Sequence, residues 1–190
     1  MSRAERQKWE GRYSVLEPSR ERTAFNPSEW LKHWCQKVPT GRALDLAAGK
    51  GCNSIYLARL GHVVYATDIA LESVRIIRQR ACGAGLSIHA WTSDLDAVSF
   101  RIERFDLVAD FFYLNRDLLK AIRARLKRGG LFIMETYLSM AASDEVPEYV
   151  LQPGELREVF LGYQVLGYEE SSRGDSQERW GRARIAARRP

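Results

Sequence analysis

Between residues 43 and 136 the hydrophobic period of the chain switches repeatedly, and this restricts the fold more than any other feature. Ala43–Ala47, Val63–Thr67, Leu86–Trp91, Phe105–Phe112 and Leu131–Thr136 are short apolar runs, the third weakened by Ser87 and His89. Runs of this length predict buried strands. The segments between them carry a helical period. Asn53–Leu60 ends at Gly61, a C-terminal stop. Leu71–Ala81 sets Leu71, Val74, Ile77 and Ala81 on one face, and Asp117–Leu126 does the same with Leu118, Ile122 and Leu126. Lys127 and Arg128 follow, where cations suit the helix dipole, and Gly129-Gly130 ends the helix. Strand–helix alternation predicts parallel βαβ units with helices on both faces of the sheet.

Both ends of the chain depart from this rhythm. Asn26-Pro27-Ser28-Glu29 combines a capping residue, Pro at the first helical position and Glu at the third. It predicts a helix with Trp30, Leu31 and Trp34 on one face, closed by Pro39 and Gly41. Near the other end, Pro153–Phe160 is a short helix with Leu156, Val159 and Phe160 inward. Tyr163–Tyr168 and Arg182–Ala187 are two strands joined by a polar loop, hence an antiparallel pair at one edge. The expected architecture is an α/β, Rossmann-like sheet of seven strands, mostly parallel, with an antiparallel edge hairpin. It divides into an N-terminal helical segment, 1–40, and one globular unit, 41–190. Ser139–Pro147 reads as an active-site loop or lid.

In open α/β sheets, ligands bind at the carboxyl ends of the strands. Ala48-Gly49-Lys50-Gly51 lies there, between the first strand and the first helix of the alternation. Its glycines permit close approach of backbone to ligand and offer amide N–H groups. Asp68 ends the second strand, 17 residues after Gly51, where a carboxylate can accept from ribose hydroxyls. Asp94 follows the third strand, where a carboxylate can accept from an adenine amino group. The dinucleotide fingerprint would place Gly or Ala at Ser54, and a pyrophosphate needs a bare helix start where this chain has Asn53. A sulfonium donor tolerates that side chain, although spacing alone does not separate the two ligands.

These residues resemble the class I S-adenosylmethionine-dependent methyltransferases, specifically the small tellurite-resistance-type branch. Leu44-Asp45-Leu46-Ala47-Ala48-Gly49-Lys50-Gly51 resembles the family's first motif, and Ala66-Thr67-Asp68-Ile69 and Asp94-Leu95 its ribose and adenine motifs. Tyr113-Leu114-Asn115-Arg116, Glu135-Thr136-Tyr137 and Gln152-Pro153-Gly154-Glu155-Leu156-Arg157 resemble branch-specific segments. Trp9-Glu10-Gly11-Arg12-Tyr13 resembles a segment that covers the cofactor. The resemblance implies the class I strand order and S-adenosyl-L-methionine as cofactor, with S-adenosyl-L-homocysteine as product. The cofactor-binding residues it implies are Tyr13, Asp45, Ala47, Gly49, Gly51, Asn53, Asp68, Ile69, Asp94, Leu95, Asp110 and Phe111. Tyr113, Arg116 and Asp110 are the candidate catalytic residues, and no metal is implied. Four positions depart from the pattern. Ala47 stands where Gly is usual, which requires a negative φ; Cys52 replaces Arg, Asn115 replaces His, and Ala70 replaces a Ser-like cap.

Charge and cysteine usage frame the partners. The net charge is +5, with six arginines against Asp175 and Glu178 in residues 171–190. A basic end can bind nucleic acid, but no aromatic interleaving accompanies it and it reads as a solvated strand and tail. The place after the fourth strand, Ala109-Asp110-Phe111-Phe112-Tyr113, is not the Asn/Asp-Pro-Pro-aromatic turn of base-directed enzymes. The expected acceptor is therefore a small molecule. An RNA-directed methyltransferase or RNA-binding module, and a nucleotide-dependent oxidoreductase, are the alternatives. Three scattered cysteines, no signal-like start and no long apolar stretch predict a cytoplasmic protein with no membrane partner, monomeric or a weak homodimer.

Overall fold

The computed structural model describes residues 3–14, 26–97, 101–140, 146–172 and 179–190. The central part of the lid expected at Ser139–Pro147 lies outside them, as do residues 1–2 and 15–25 of the N-terminal segment.

All seven expected strands are present: β1 (Arg42–Leu46), β2 (Val63–Asp68), β3 (Ile88–Thr92), β4 (Leu107–Phe111), β5 (Leu131–Leu138), β6 (Gln164–Ser171) and β7 (Gly181–Arg188). They form one sheet in the order β3-β2-β1-β4-β5-β7-β6. β1 to β5 run parallel, while β7 is antiparallel to both β5 and β6. The chain leaves β1 in one direction for β2 and β3, then returns to β4 on the other side. That reversal opens a crevice beyond the carboxyl ends of β1 and β4.

Among the described residues six α-helices accompany the sheet: α1 (Arg3–Ser14), α2 (Glu29–Trp34), α3 (Cys52–Arg59), α4 (Leu71–Gly83), α5 (Arg116–Arg125) and α6 (Glu155–Val159). Leu31 of α2 and Leu57 of α3 pack on Ala43, Leu107, Ala109, Leu131 and Ile133. Val74 and Ile77 of α4 pack on Ala66 and Ala90 of the same face. Leu118, Leu119 and Ile122 of α5, with Leu156 of α6, cover Leu44, Leu46, Val108, Phe132 and Met134 on the other. Strands covered on both faces bury every residue, which explains their continuous apolar runs. No helix of the described residues is long and apolar enough to cross a membrane.

Local chemistry decides how two helices start. α2 begins at Glu29, with Ser28 rather than Asn26 at the N-cap position and no side-chain capping bond there. The Ser28 hydroxyl donates instead to Glu135 on β5 (3.2 Å). In α4, Leu71 is 45% exposed, contrary to its expected inward position, while Val74, Ile77 and Ala81 are buried. The residue before α4 is Ala70, which has no side chain to cap it. Glu10 of α1 takes over this role: its carboxylate accepts the N–H groups of Leu71 (2.6 Å) and Glu72 (3.2 Å). An acid at a helix N-terminus satisfies orphan donors and complements the dipole. This contact fixes α1 across the start of α4.

Candidate functional site

The turn after β1 is held from three sides. Ala48 donates to the carbonyl of Thr67 (2.9 Å), Gly49 donates to Asp68 Oδ2 (2.8 Å), and the Ser73 hydroxyl donates to the carbonyl of Gly49. Gly49 and Gly51 have φ of 53° and 76°, in the left-handed region that favours glycine. Gly51 has a second constraint, because a Cβ there would lie 2.6 Å from Cγ1 of Ile77. Ala47 has φ of 48°. The condition under which alanine would be tolerated there, a negative φ, is therefore not met. This alanine occupies a glycine-like backbone at a cost of about 1–2 kcal/mol.

Three carboxylates are buried around the turn: Asp45, Asp68 and Asp110. Asp45 accepts from the Ser54 hydroxyl at the start of α3. Burial pushes its carboxyl up to about 7, opposed by the Ser54 bond and reinforced by the charge of Asp68. Asp68 Oδ1 accepts from the Ala70 N–H (3.0 Å) while Oδ2 holds Gly49. Burial raises its carboxyl too, against those backbone bonds. Asp110 ends β4 beside Leu46 of β1 and is 1% exposed. Burial and then the charge of Asp45 push it well above the usual carboxylate range, and its Oδ1 has no hydrogen-bond partner among the described residues. Like charges buried together favour the neutral forms unless a cation or donor joins them.

Tyr13 closes the turn from above. Its hydroxyl lies 3.1 Å from where a Cβ of Gly49 would sit, and its ring stacks on Trp9. Burial, then the Asp68 carboxylate, keep this phenol protonated. Ile69 and Leu95 are buried apolar residues flanking the ends of β2 and β3. Asp94 Oδ1 accepts from the Asp96 N–H (3.0 Å) in the loop after β3.

On the α2 side of the crevice lies a cavity of about 520 Å³. Asn53 and Phe111 line it, together with Ser28, Trp30, Phe112, Glu135, Arg182 and Arg184. Asn53 Oδ1 accepts from the Ser28 N–H (2.9 Å), tying the start of α3 to the start of α2. The strand registers build the opposite wall. Phe111 pairs with Glu135, Glu135 with Arg184, and Arg184 with Glu169, so four neighbouring strands place one row of side chains on one face. Glu135 accepts from Arg182 and Arg184 (3.2 Å each). Phe112 has φ of 62°, with its N–H bonded to the Glu135 carbonyl (2.8 Å), and Arg182 lies 4.5 Å over its ring.

A family model described as "Methyltransferase domain" matches residues 43–130, from β1 to the start of β5. The chain is 27% identical over 142 residues to the probable S-adenosyl-L-methionine-dependent methyltransferase TehB of Haemophilus influenzae, covering 68% of this chain and 48% of that protein. It is 33% identical over 100 residues to the ubiquinone biosynthesis O-methyltransferase of Cereibacter sphaeroides, covering 50% and 40%. The crystal structure of TehB from Haemophilus influenzae superposes with a TM-score of 0.75 at 20% identity, over 90% of this chain and 65% of that one. The matched part of the chain is similar to S-adenosylmethionine-dependent methyltransferases, and the chain shares their fold. It spans about half the length of the curated relatives it matches.

Two residues expected to be catalytic are committed elsewhere. Arg116 opens α5 and reaches Glu155 through Nε (2.6 Å) and Nη2 (3.0 Å). It also donates to the carbonyls of Glu148 (2.7 Å) and Val150 (3.1 Å), clamping the segment before α6. Neither Arg116 nor Tyr113 lines the cavity. The Tyr113 hydroxyl donates to Asp96 (2.7 Å), and burial followed by that carboxylate raises its pKa. Asn115 caps α5 by accepting from Leu118 (2.8 Å) and donates to the same Asp96 (2.6 Å). Sequence reasoning missed Glu10 as a cap, and Ser28, Trp30, Arg182 and Arg184 as cavity residues. For Arg182 and Arg184 a signal existed, namely their alternation with Ala183 and Ile185.

Proposed function

We propose that this chain binds S-adenosylmethionine across the carboxyl ends of β1, β2 and β4 and methylates a small molecule held in the adjoining cavity. The observation that carries this reading is the buried Asp110 carboxyl, with one oxygen unpartnered among the described residues and Asp45 nearby. Such a site favours a ligand that brings positive charge. S-adenosylmethionine carries a sulfonium and an ammonium and supplies an electrophilic methyl group. A dinucleotide would add the negative charges of a pyrophosphate to three buried carboxyls, which counts against the oxidoreductase alternative.

The residues divide the work. Gly49 and Gly51 keep the turn open to close approach. Asp68 retains lone pairs beyond those given to Gly49 and Ala70 and can accept ribose hydroxyls. Asp94, Ile69 and Leu95 frame an adenine site after β2 and β3. Tyr13 and α1 cover the donor. Phe111 separates the donor site from the cavity, so the cavity's walls align an acceptor with the methyl group; positioning of this kind can supply much of the rate. The bonds of Arg116 and Tyr113 give them positioning roles in this reading. The arginine-rich end supports small-molecule chemistry rather than RNA binding. Arg182 and Arg184 turn toward Glu135, Arg188 donates to Lys37, and Arg189 to Leu126.

Calorimetry with S-adenosylmethionine tests the first step. Micromolar binding is expected, and no binding at millimolar donor refutes the proposal. Asp68→Ala is expected to weaken the donor at least about tenfold, or about 1.4 kcal/mol. Isotope-labelled donor and mass spectrometry of methylated products then identify the acceptor.

A further inference from the structure

Building on the methyltransferase reading, we infer that the acceptor carries a carboxylate or similar planar oxyanion on a flat apolar body, recognised by Arg182 and Arg184. Arg184 spends Nη2 on Glu135 and Nη1 on Glu169, but its Nε is buried with no partner among the described residues. Glu135, the acid between the two guanidiniums, already accepts from Arg182, Arg184 and the Ser28 hydroxyl. Glu29, the other acid lining the cavity, is paired with Lys32 at 2.6 Å. The wall is thus rich in donors, while its acceptors are engaged. A ligand that fits it brings acceptor oxygens, and a cationic acceptor would meet two guanidiniums.

The apolar part of the cavity indicates the rest of the acceptor. Trp30, Phe111 and Phe112 line it. Phe112 is 41% exposed despite its size, in a backbone conformation that a bulky residue rarely adopts. Its N–H bond to β5 holds the ring beneath Arg182, whose guanidinium also lies 5.7 Å from the ring of Tyr137, itself 5.3 Å from Phe112. Backbone strain that aims an exposed aromatic ring at a cation belongs to a recognition surface. A volume of about 520 Å³ accommodates an aromatic acid. Glu135 is a positioning residue here: it sets the spacing of the two guanidiniums.

Benzoate and benzamide are matched probes, equal in shape and different in charge. Calorimetry on the full chain saturated with S-adenosylhomocysteine is expected to show benzoate bound at least about tenfold more tightly than benzamide. Arg182→Met and Arg184→Met should each collapse that ratio toward one while leaving the S-adenosylhomocysteine affinity within about twofold. Arg182→Lys should restore part of it. Equal binding of the two probes, no binding of benzoate, or discrimination that survives both Met variants overturns the inference. If wild-type protein fails to bind S-adenosylhomocysteine, the methyltransferase reading itself falls. Normal binding of that ligand without discrimination overturns only the anionic acceptor.

Discussion

Asp110→Asn should stabilise the cofactor-free protein and weaken the cofactor, two effects of opposite sign from one atom. In the free protein the Asp110 carboxyl is buried, one oxygen lacks a partner, and burial plus Asp45 raise its pKa well above that of an unfolded aspartate. The folded chain therefore holds a proton that the unfolded chain has released. Stability from this source is complete below about pH 4 and falls as pH rises toward the folded pKa. The slope is about 1.4 kcal/mol per pH unit for each carboxyl that stays protonated. Between about pH 5 and pH 8, Asp110 thus removes at most about 4 kcal/mol, and Asp45, raised to about 7, adds its own slope over the lower part of that window. Asn keeps an oxygen for the Tyr113 N–H and carries no proton to release. Urea unfolding without cofactor should show the variant's advantage widening as pH rises from about 5 to about 8, by at most about 1.4 kcal/mol per pH unit. A gap constant within about 0.5 kcal/mol would refute the burial of an unionised acid. Calorimetry at pH 8 should show S-adenosylmethionine bound at least about tenfold more weakly by the variant. An unchanged donor affinity would remove Asp110 from the site.

Gly51→Ala should lower stability by about 2–4 kcal/mol, because the new Cβ meets Ile77 at 2.6 Å with φ at 76°; an unchanged melting temperature would contradict that packing. Ala47→Gly should do the reverse. Relief of about 1–2 kcal/mol of left-handed strain exceeds the added unfolded-state entropy of glycine, and a net gain of about 0.5 kcal/mol raises Tm by about 1–2 °C. A lower Tm would show that the residue is unstrained. Glu10→Ala should cost about 1 kcal/mol and speed hydrogen exchange at the amides of Leu71 and Glu72. Protection unchanged at both amides would rule out Glu10 as the cap.

The parallel core was legible because it is buried on both faces. Leu107–Ala109 and Leu131–Met134 are covered by helices on either side and read as unbroken apolar runs, and β1 is interrupted only by Asp45. The alternation indicated parallel βαβ units, while the strand order came from the family resemblance. Helix starts were less legible, because caps are decided by whatever lies nearby. Ser28 gives its hydroxyl to Glu135, 107 residues away, and α4 takes its cap from Glu10, 61 residues away. Neither partner belongs to the local pattern that capping rules read. The φ of Ala47 was missed for a similar reason. Its side chain satisfies every local preference, and only the path from β1 into the turn forces the left-handed conformation.

The candidate site divides along the same line. Gly49, Gly51 and Asp68 stand at spacings set by a single βαβ unit, so their meeting follows from one strand, one helix and the next strand. The second wall depends on the register between β5 and β7, segments separated by some fifty residues whose pairing no spacing rule fixes. Even so, β7 carried a usable sign. Arg182, Arg184 and Arg188 share one parity in Arg-Ala-Arg-Ile-Ala-Ala-Arg, while Ala183, Ile185 and Ala187 are fully buried on the other face. A solvated tail has no reason to keep that period. Arginines held to one face of a strand that is buried on the other must meet whatever packs beside it. Here that is the turn after α2 at one end, where Arg188 donates to the Lys37 carbonyl, and the cavity at the other, where Arg182 and Arg184 meet Glu135. The charge that first suggested a nucleic-acid partner is better explained by that strand period than by the net charge of the tail.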